Sequence, residues 1–263
     1  MASWKEFEKA CFHHLVTTYG QLCSFEPLGQ SDSTFPDVRV IPPHGSPFYV
    51  ETKESLAQCG QFVLFPNPDQ EAFTYSPRNK TPMNTYSQEI IHYMNQNFQV
   101  YANAGTKGAG IPLHSSIFYG WIKQYYAGKG VRFFITKGRD YILLPIEKFE
   151  DYFSVWADYR TKNSGSNNPS RKNLPEIRSI LDARFCQYEL EKTGRKTYVK
   201  TSYPLGGLKL PGEKYTYLFN QTGVQTYNIR RLSNTKNANV IFSISLKKEQ
   251  DPQDLQLFLQ SLD

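Results

Sequence analysis

Apolar residues open the chain at helical spacing. Trp4, Phe7, Cys11, Leu15 and Thr18 recur every three or four positions, and Ser3 with Glu6 forms a capping-box pattern, so an amphipathic helix is predicted to about Tyr19. The pattern then changes to β-formers, and residues 34–41 and 48–52 read as two strands joined through Pro42-Pro43-His44-Gly45, a hairpin. A Pro/Asn-rich segment, 66–82, leads to a helix capped by Thr81 and opened by Pro82, with Met83, Tyr86, Ile90 and Tyr93 on one face. Residues 115–126 read as a helix stopped by Gly128, and 131–136 and 141–144 as strands around a turn. Pro145 opens a further helix through Phe149, Tyr152, Phe153 and Trp156.

Beyond Tyr159 the texture changes. Residues 162–172 contain no apolar side chain and read as a loop or linker. Hairpins follow around 192–195 and 220–223, then a strand at 240–246 and a closing helix capped by Asp251 with Pro252 in its first turn. Leu255, Phe258, Leu259 and Leu262 form one stripe on that helix, as a packed terminal helix requires. The prediction is a mixed α/β region over 1–159 and a β-rich region with the closing helix over 160–263. No internal repeat is evident.

Composition narrows the function classes. The 263 residues are 39% apolar and 15% aromatic, a globular composition, and no run approaches the ~18 apolar residues of a membrane span. The charged opening segment lacks the apolar core of a secretion signal, so the expectation is a cytoplasmic protein without membrane partners. Cys11, Cys23, Cys59 and Cys186 lack metal-site spacing and sit among apolar neighbours, and His13 and His14 are adjacent, so neither set reads as a zinc site. The net charge of +6 is uneven: residues 1–159 carry −2, residues 160–248 carry +12 and the last fifteen carry −4. A basic block interleaved with Tyr and Asn is the footprint of a polyanion partner, nucleic acid above all. Gly105 to Gly110 has a phosphate-loop look but matches no nucleotide-binding spacing, and it reads as a loop.

The chemistry concentrates in the first hairpin. Alternation on a strand puts Glu51 and Lys53 on one face with Thr52 opposite, and pairing across the turn brings Asp37 toward Glu51. Two close carboxylates are comfortable only around a cation, and oxygen-only ligation favours Mg²⁺. Such an ion beside a lysine is equipped to hydrolyse a phosphodiester.

Pro36-Asp37 followed by Glu51-Thr52-Lys53, after an amphipathic helix, resembles the PD-(D/E)XK nuclease superfamily, and most of all its type II restriction endonucleases. The resemblance covers residues 1–159 and implies an αβββαβ core, Mg²⁺ (or Mn²⁺) held by Asp37 and Glu51 with the Thr52 carbonyl, and Lys53 orienting the attacking water. It further implies Glu8 on the first helix as a catalytic or metal-side carboxylate, and Gln61 as a candidate cleft residue. The partner implied is double-stranded DNA, and cutting of palindromic sites implies a homodimer. Lys162, Arg171, Lys172, Arg195, Lys196, Lys200, Arg230 and Arg231 are the candidates for DNA contact. A junction resolvase, a modification-dependent nuclease and a non-cleaving DNA-binding protein with a nuclease-like core are the alternatives.

Overall fold

The computed structural model describes residues 4–28, 35–163, 165–185, 187–233 and 236–262. The Ser3 cap, the Thr34 strand start and Cys186 lie outside the described residues. The chain forms two compact units: residues 1–160 with 238–263, and residues 161–237. The expected division at 159/160 therefore departs at its far end. The last strand and the closing helix belong with the first unit, because their apolar faces complete its two cores.

In the first unit, helix α1 (Trp4–Tyr19) precedes an antiparallel meander of β1 (Ser24–Pro27), β2 (Val38–Ile41) and β3 (Phe48–Thr52). Next come β4 (Leu56–Asn67), β5 (Ala72–Tyr75), α2 (Thr85–Gln96), α3 (Phe98–Ala102), β6 (Ala109–Gly110) and α4 (Ser115–Ala127). Strand β7 (Val131–Lys137) then lies parallel to β3, and β8 (Tyr141–Pro145) closes the sheet order β1-β2-β3-β7-β8. A helix, three strands, the crossing helix α4 and a parallel strand realise the expected αβββαβ order. One face of this sheet (Val38, Val40, Phe48, Val50, Phe133, Ile135) packs with Cys11 and Leu15 of α1 and with Phe258 of the closing helix.

The same unit holds a second sheet. Helix α5 (Phe149–Tyr152) is a single turn, and the chain then runs as β9 (Phe153–Asn163). Phe153, Val155, Ala157 and Tyr159 are buried while Ser154 and Trp156 are exposed, so period two wins over the helical stripe expected through Trp156. The α2 start is corrected as well. Asn84, not Thr81, is the cap: its side chain accepts from Ser87 N (2.8 Å) while Ser87 Oγ accepts from Asn84 N (2.9 Å), and Met83 stays outside.

The second unit contains β10 (Ser166–Asn167), α6 (Leu174–Asp182), β11 (Glu189–Thr193), β12 (Lys196–Lys200), β13 (Lys209–Pro211), β14 (Thr216–Gly223) and β15 (Thr226–Leu232). Strand β16 (Lys236–Leu246) and helix α7 (Pro252–Gln260) complete the chain, and β16 enters the sheet order β5-β4-β16-β9-β6. Asp251 caps α7 through Gln253 N (3.0 Å), as expected. Parts of the predicted 162–172 linker are strand, the end of β9 and the whole of β10.

Two features test this packing. Between Ile241 and Ser243 of β16, Cys59 and Gly60 of β4 oppose Phe242 alone, a β-bulge. Gly60 has φ +117°, and a Cβ there would stand 2.7 Å from the Trp121 ring. That ring cannot yield, being stacked on Phe242 at 4.2 Å and Tyr125 at 4.9 Å. Gly60→Val is expected to cost at least ~3 kcal/mol in urea unfolding, from strain and overpacking together; a loss under ~1 kcal/mol would show that the bulge is free to relax.

In the second unit, the Glu176 carboxylate of α6 accepts from Lys214 N (2.7 Å), Tyr215 N (3.3 Å) and Tyr217 OH (2.6 Å). Burial pushes its pKa up, and these bonds outweigh burial, so the carboxyl lies below its ordinary value. A depressed carboxylate contributes stability above its unfolded pKa of ~4.3 and loses it as pH falls through the folded value. Glu176→Gln should cost ~1–3 kcal/mol at pH 7 and flatten the acid limb of stability, read by amide exchange at residues 214–217.

Candidate active site

The site forms where the β2–β3 hairpin ends. Pairing of Val38 with Val50 sets Asp37 across from the last residues of β3, one step beyond the backbone ladder. Asp37 Oδ2 continues that ladder by accepting from Thr52 N (2.8 Å) and Thr52 Oγ1 (2.7 Å). A carboxylate on a bend is thereby fixed to the strand that carries the second carboxylate.

Glu51 is buried, 6% exposed, and its Oε1 accepts from Lys53 Nζ at 2.6 Å. The same ammonium donates to the Thr52 carbonyl at 3.1 Å. Glu51 Oε2 is buried with no hydrogen-bond partner. Burial raises the Glu51 pKa, the Lys53 charge opposes that rise and Asp37 adds to it. For Lys53, burial works against the charge, yet Glu51 beside it more than reverses the effect and holds the ammonium above its ordinary range. Helix α4 supplies the floor: the buried Tyr126 ring lies 5.4 Å from Lys53 Nζ. Cys59 lies near it, its thiol pushed up to about 12 by burial, which makes it a core residue and not a nucleophile.

Helix α1 closes the other side. Glu8 with Lys5, Lys9, Phe12, Pro27, Asp37 and Val38 lines a cleft of about 410 Å³. Burial first, and the Asp37 charge second, push the Glu8 carboxyl up to about 7. Asp37, Glu51, Thr52, Lys53 and Glu8 are therefore gathered in one place. Gln61 is elsewhere: it is exposed, accepts from Gln58 Nε2 (3.0 Å) and lines a separate groove with Arg78, Asn79, Lys80 and Lys129.

The donor set suits a hard cation. Among the described residues no group of three or more His, Cys, Asp and Glu forms a ready metal cage. Two carboxylates and a carbonyl leave coordination positions for water, as Mg²⁺ prefers, and the unpartnered Glu51 Oε2 is an acceptor that a cation or its water would satisfy.

The eight basic candidates are spread over several segments of the second unit. Arg171 and Lys172 are exposed in a short turn before α6, Arg195 and Lys196 are exposed at the β11–β12 turn, and Lys162 lies on β9 near the Asn163 end. Lys200 pairs with Glu191 (3.3 Å) and Glu189 (3.6 Å). Arg230 donates to Ser166 Oγ (3.1 Å), Asn168 Oδ1 (2.7 Å) and the Ser166 carbonyl, so it ties β15 to β10. Arg231 stacks over Tyr215 at 4.5 Å. Sequence reasoning overlooked Tyr126 and Lys129, the latter close enough for its charge to favour an ionised Glu51. The helix preceding the strand parallel to β3 was the available signal, since that helix must cross the site.

No family model and no curated protein sequence matches the chain. A solved structure does: an HhaI endonuclease in complex with DNA, 41% identical, with a TM-score of 0.88 over 99% of this chain and 99% of that one. Likeness of sequence and backbone together, over the full length of both chains, goes well beyond a shared fold: this chain belongs to the type II restriction endonucleases, the site-specific deoxyribonucleases.

Proposed function

We propose that the chain is a Mg²⁺-dependent endonuclease of the PD-(D/E)XK kind that cuts double-stranded DNA at a specific sequence, with Mn²⁺ able to substitute. One observation carries this reading. A buried carboxylate with an unpartnered oxygen, Glu51, is held beside Asp37 and against the ammonium of Lys53. In this reading Asp37, Glu51 and the Thr52 carbonyl hold the ion. Bound there, Mg²⁺ supplies Lewis-acid polarisation of the phosphate and an activated water. Thr52 fixes the orientation of Asp37 through its N–H and hydroxyl. Lys53, a cation desolvated against Tyr126, orients the attacking water and stabilises charge building on the phosphate oxygens. Glu8, with a carboxyl near neutrality, takes or returns a proton at the cleft wall.

Exposed Arg171, Lys172, Arg195 and Lys196 meet the DNA from the second unit, whereas Arg230 acts through the β10–β15 tie it makes. Among the described residues no helix is long and apolar enough to cross a membrane, and a DNA substrate puts the action in the prokaryotic cytoplasm. Incubation with a mapped plasmid tests the whole reading. Discrete fragments with Mg²⁺ or Mn²⁺, none with EDTA, are expected. Cutting only of branched or only of modified DNA would reassign it to a resolvase or a modification-dependent enzyme, and binding without cutting would overturn it. The homodimer suggested by palindromic cutting is read in the same assay. A pair of centres converts supercoiled plasmid directly to linear, a single centre leaves an open-circle intermediate, and sedimentation counts the chains.

A further inference from the structure

A second cleft in the first unit remains unused by this mechanism. Two adjoining hollows of about 400 and 360 Å³ share Lys80, Thr81, Tyr125, Gly128 and Lys129, so they form one groove between the segment after β5 and the C-terminal end of α4. Arg78 and Lys80 stand on one wall and Lys129 on the other, and no acidic side chain is among the lining residues. Residues 78–139 carry eight Lys or Arg and one acid, Glu89.

The wall bearing Arg78 and Lys80 is pinned. Asn79 Oδ1 accepts from Val63 N (2.8 Å), Asn79 Nδ2 donates to the Val63 carbonyl (2.8 Å), and Ser76 N donates to that same carbonyl (3.0 Å). One amide side chain thus imitates a neighbouring strand along β4, and Tyr75 OH donates to the Thr81 carbonyl (3.0 Å) to hold the far end. These bonds fix the backbone that presents both cations, so only their side-chain rotamers are left to order on meeting a ligand. The opposite wall leads to the active site: the Tyr126 ring lies 5.5 Å from Lys129 Nζ and 5.4 Å from Lys53 Nζ. The groove therefore lies beside the active site, with the buried Tyr126 ring between it and Lys53, and the Lys129 charge reaches Glu51.

We propose that this groove is a track for the phosphate backbone beside the scissile bond, with Arg78, Lys80 and Lys129 each neutralising a phosphate. The inference rests on the endonuclease reading. It adds an anchoring surface in the catalytic unit itself, separate from the basic residues of the second unit. A groove of this charge without acids fits a polyanion of regularly spaced monoanions better than a small neutral ligand.

The test uses the full chain in EDTA and a fluorescent duplex holding the mapped cut site. Arg78→Ala/Lys80→Ala should shallow the plot of log K against log[salt] by about 1.8, at about 0.9 per phosphate contact, with thermal unfolding unchanged because both residues are exposed. Neutral methylphosphonates, introduced one at a time, should weaken wild-type binding next to the cut and leave the double variant unaffected at those positions. Wild-type cleavage of the same duplex in Mg²⁺ is measured alongside. If the wild type does not cut, the endonuclease reading itself falls. If it cuts while the variant keeps the wild-type salt slope, or if the sensitive phosphates lie away from the cut, the groove proposal alone is overturned.

Discussion

Asp37→Asn is expected to lower cleavage roughly 10²–10³-fold or more while the protein unfolds at the wild-type temperature. The asparagine carbonyl can still accept from both Thr52 N and Thr52 Oγ1, so the bend keeps its anchor and only the negative charge is lost. Glu51→Gln should lose at least as much activity, with a different stability outcome. It strands the buried Lys53 ammonium, and breaking a buried pair from one side typically costs ~3–5 kcal/mol. The double variant Glu51→Gln/Lys53→Gln removes both charges, keeps nearly the same volume, and should regain most of that stability with none of the activity. A double-mutant cycle in urea, with turnover measured on a plasmid, separates these effects. Near wild-type turnover by folded Asp37→Asn would remove these carboxylates from the chemistry.

The acidic centre is legible in the sequence because it is local. Asp37 to Lys53 is one hairpin, and strand alternation alone puts Glu51 and Lys53 on one side. The floor and the groove are not legible in that way. Tyr126 and Lys129 reach the site only through the crossing of α4, which pattern reading places as a helix without saying what it covers. Averaging charge over 159 residues gives −2 and conceals the basic stretch from Arg78 to Arg139. Strand β4 escaped recognition because Gly60 interrupts its alternation, and its partner β16 is remote: Leu64 pairs with Ala238. The second sheet is thus assembled from contacts that no local window contains. Gln61 illustrates the consequence, since it faces the groove at Lys129 and not the carboxylates.

Exchange of the metal should separate binding from cutting. Without metal, the proposed site sets three carboxylates (Glu8, Asp37 and Glu51) against the phosphate, and burial first, with the Asp37 charge second, already raises the Glu8 pKa. DNA affinity in EDTA should therefore rise as pH falls from 8 to 6, because Glu8, ionised above about 7, takes up a proton over that interval and one negative charge disappears. Glu8→Gln should abolish this pH dependence and bind at pH 8 as the wild type does at pH 6. In Ca²⁺ the ion supplies the compensating charge, so affinity should be high and nearly independent of pH for both proteins. Cleavage should nonetheless fall at least ~10²-fold relative to Mg²⁺. Ca²⁺ accepts six to eight ligands at about 2.3–2.6 Å in loose geometry, whereas Mg²⁺ enforces an octahedron at about 2.0–2.1 Å that aligns water and phosphate. Fluorescence anisotropy at pH 6 and 8, in EDTA and in Ca²⁺, reads all four arms. Affinity that is unchanged by Ca²⁺ at pH 8 would show that the carboxylates do not share a cation when DNA is bound, and the role assigned to Glu8 would fall if its glutamine variant kept the wild-type pH profile.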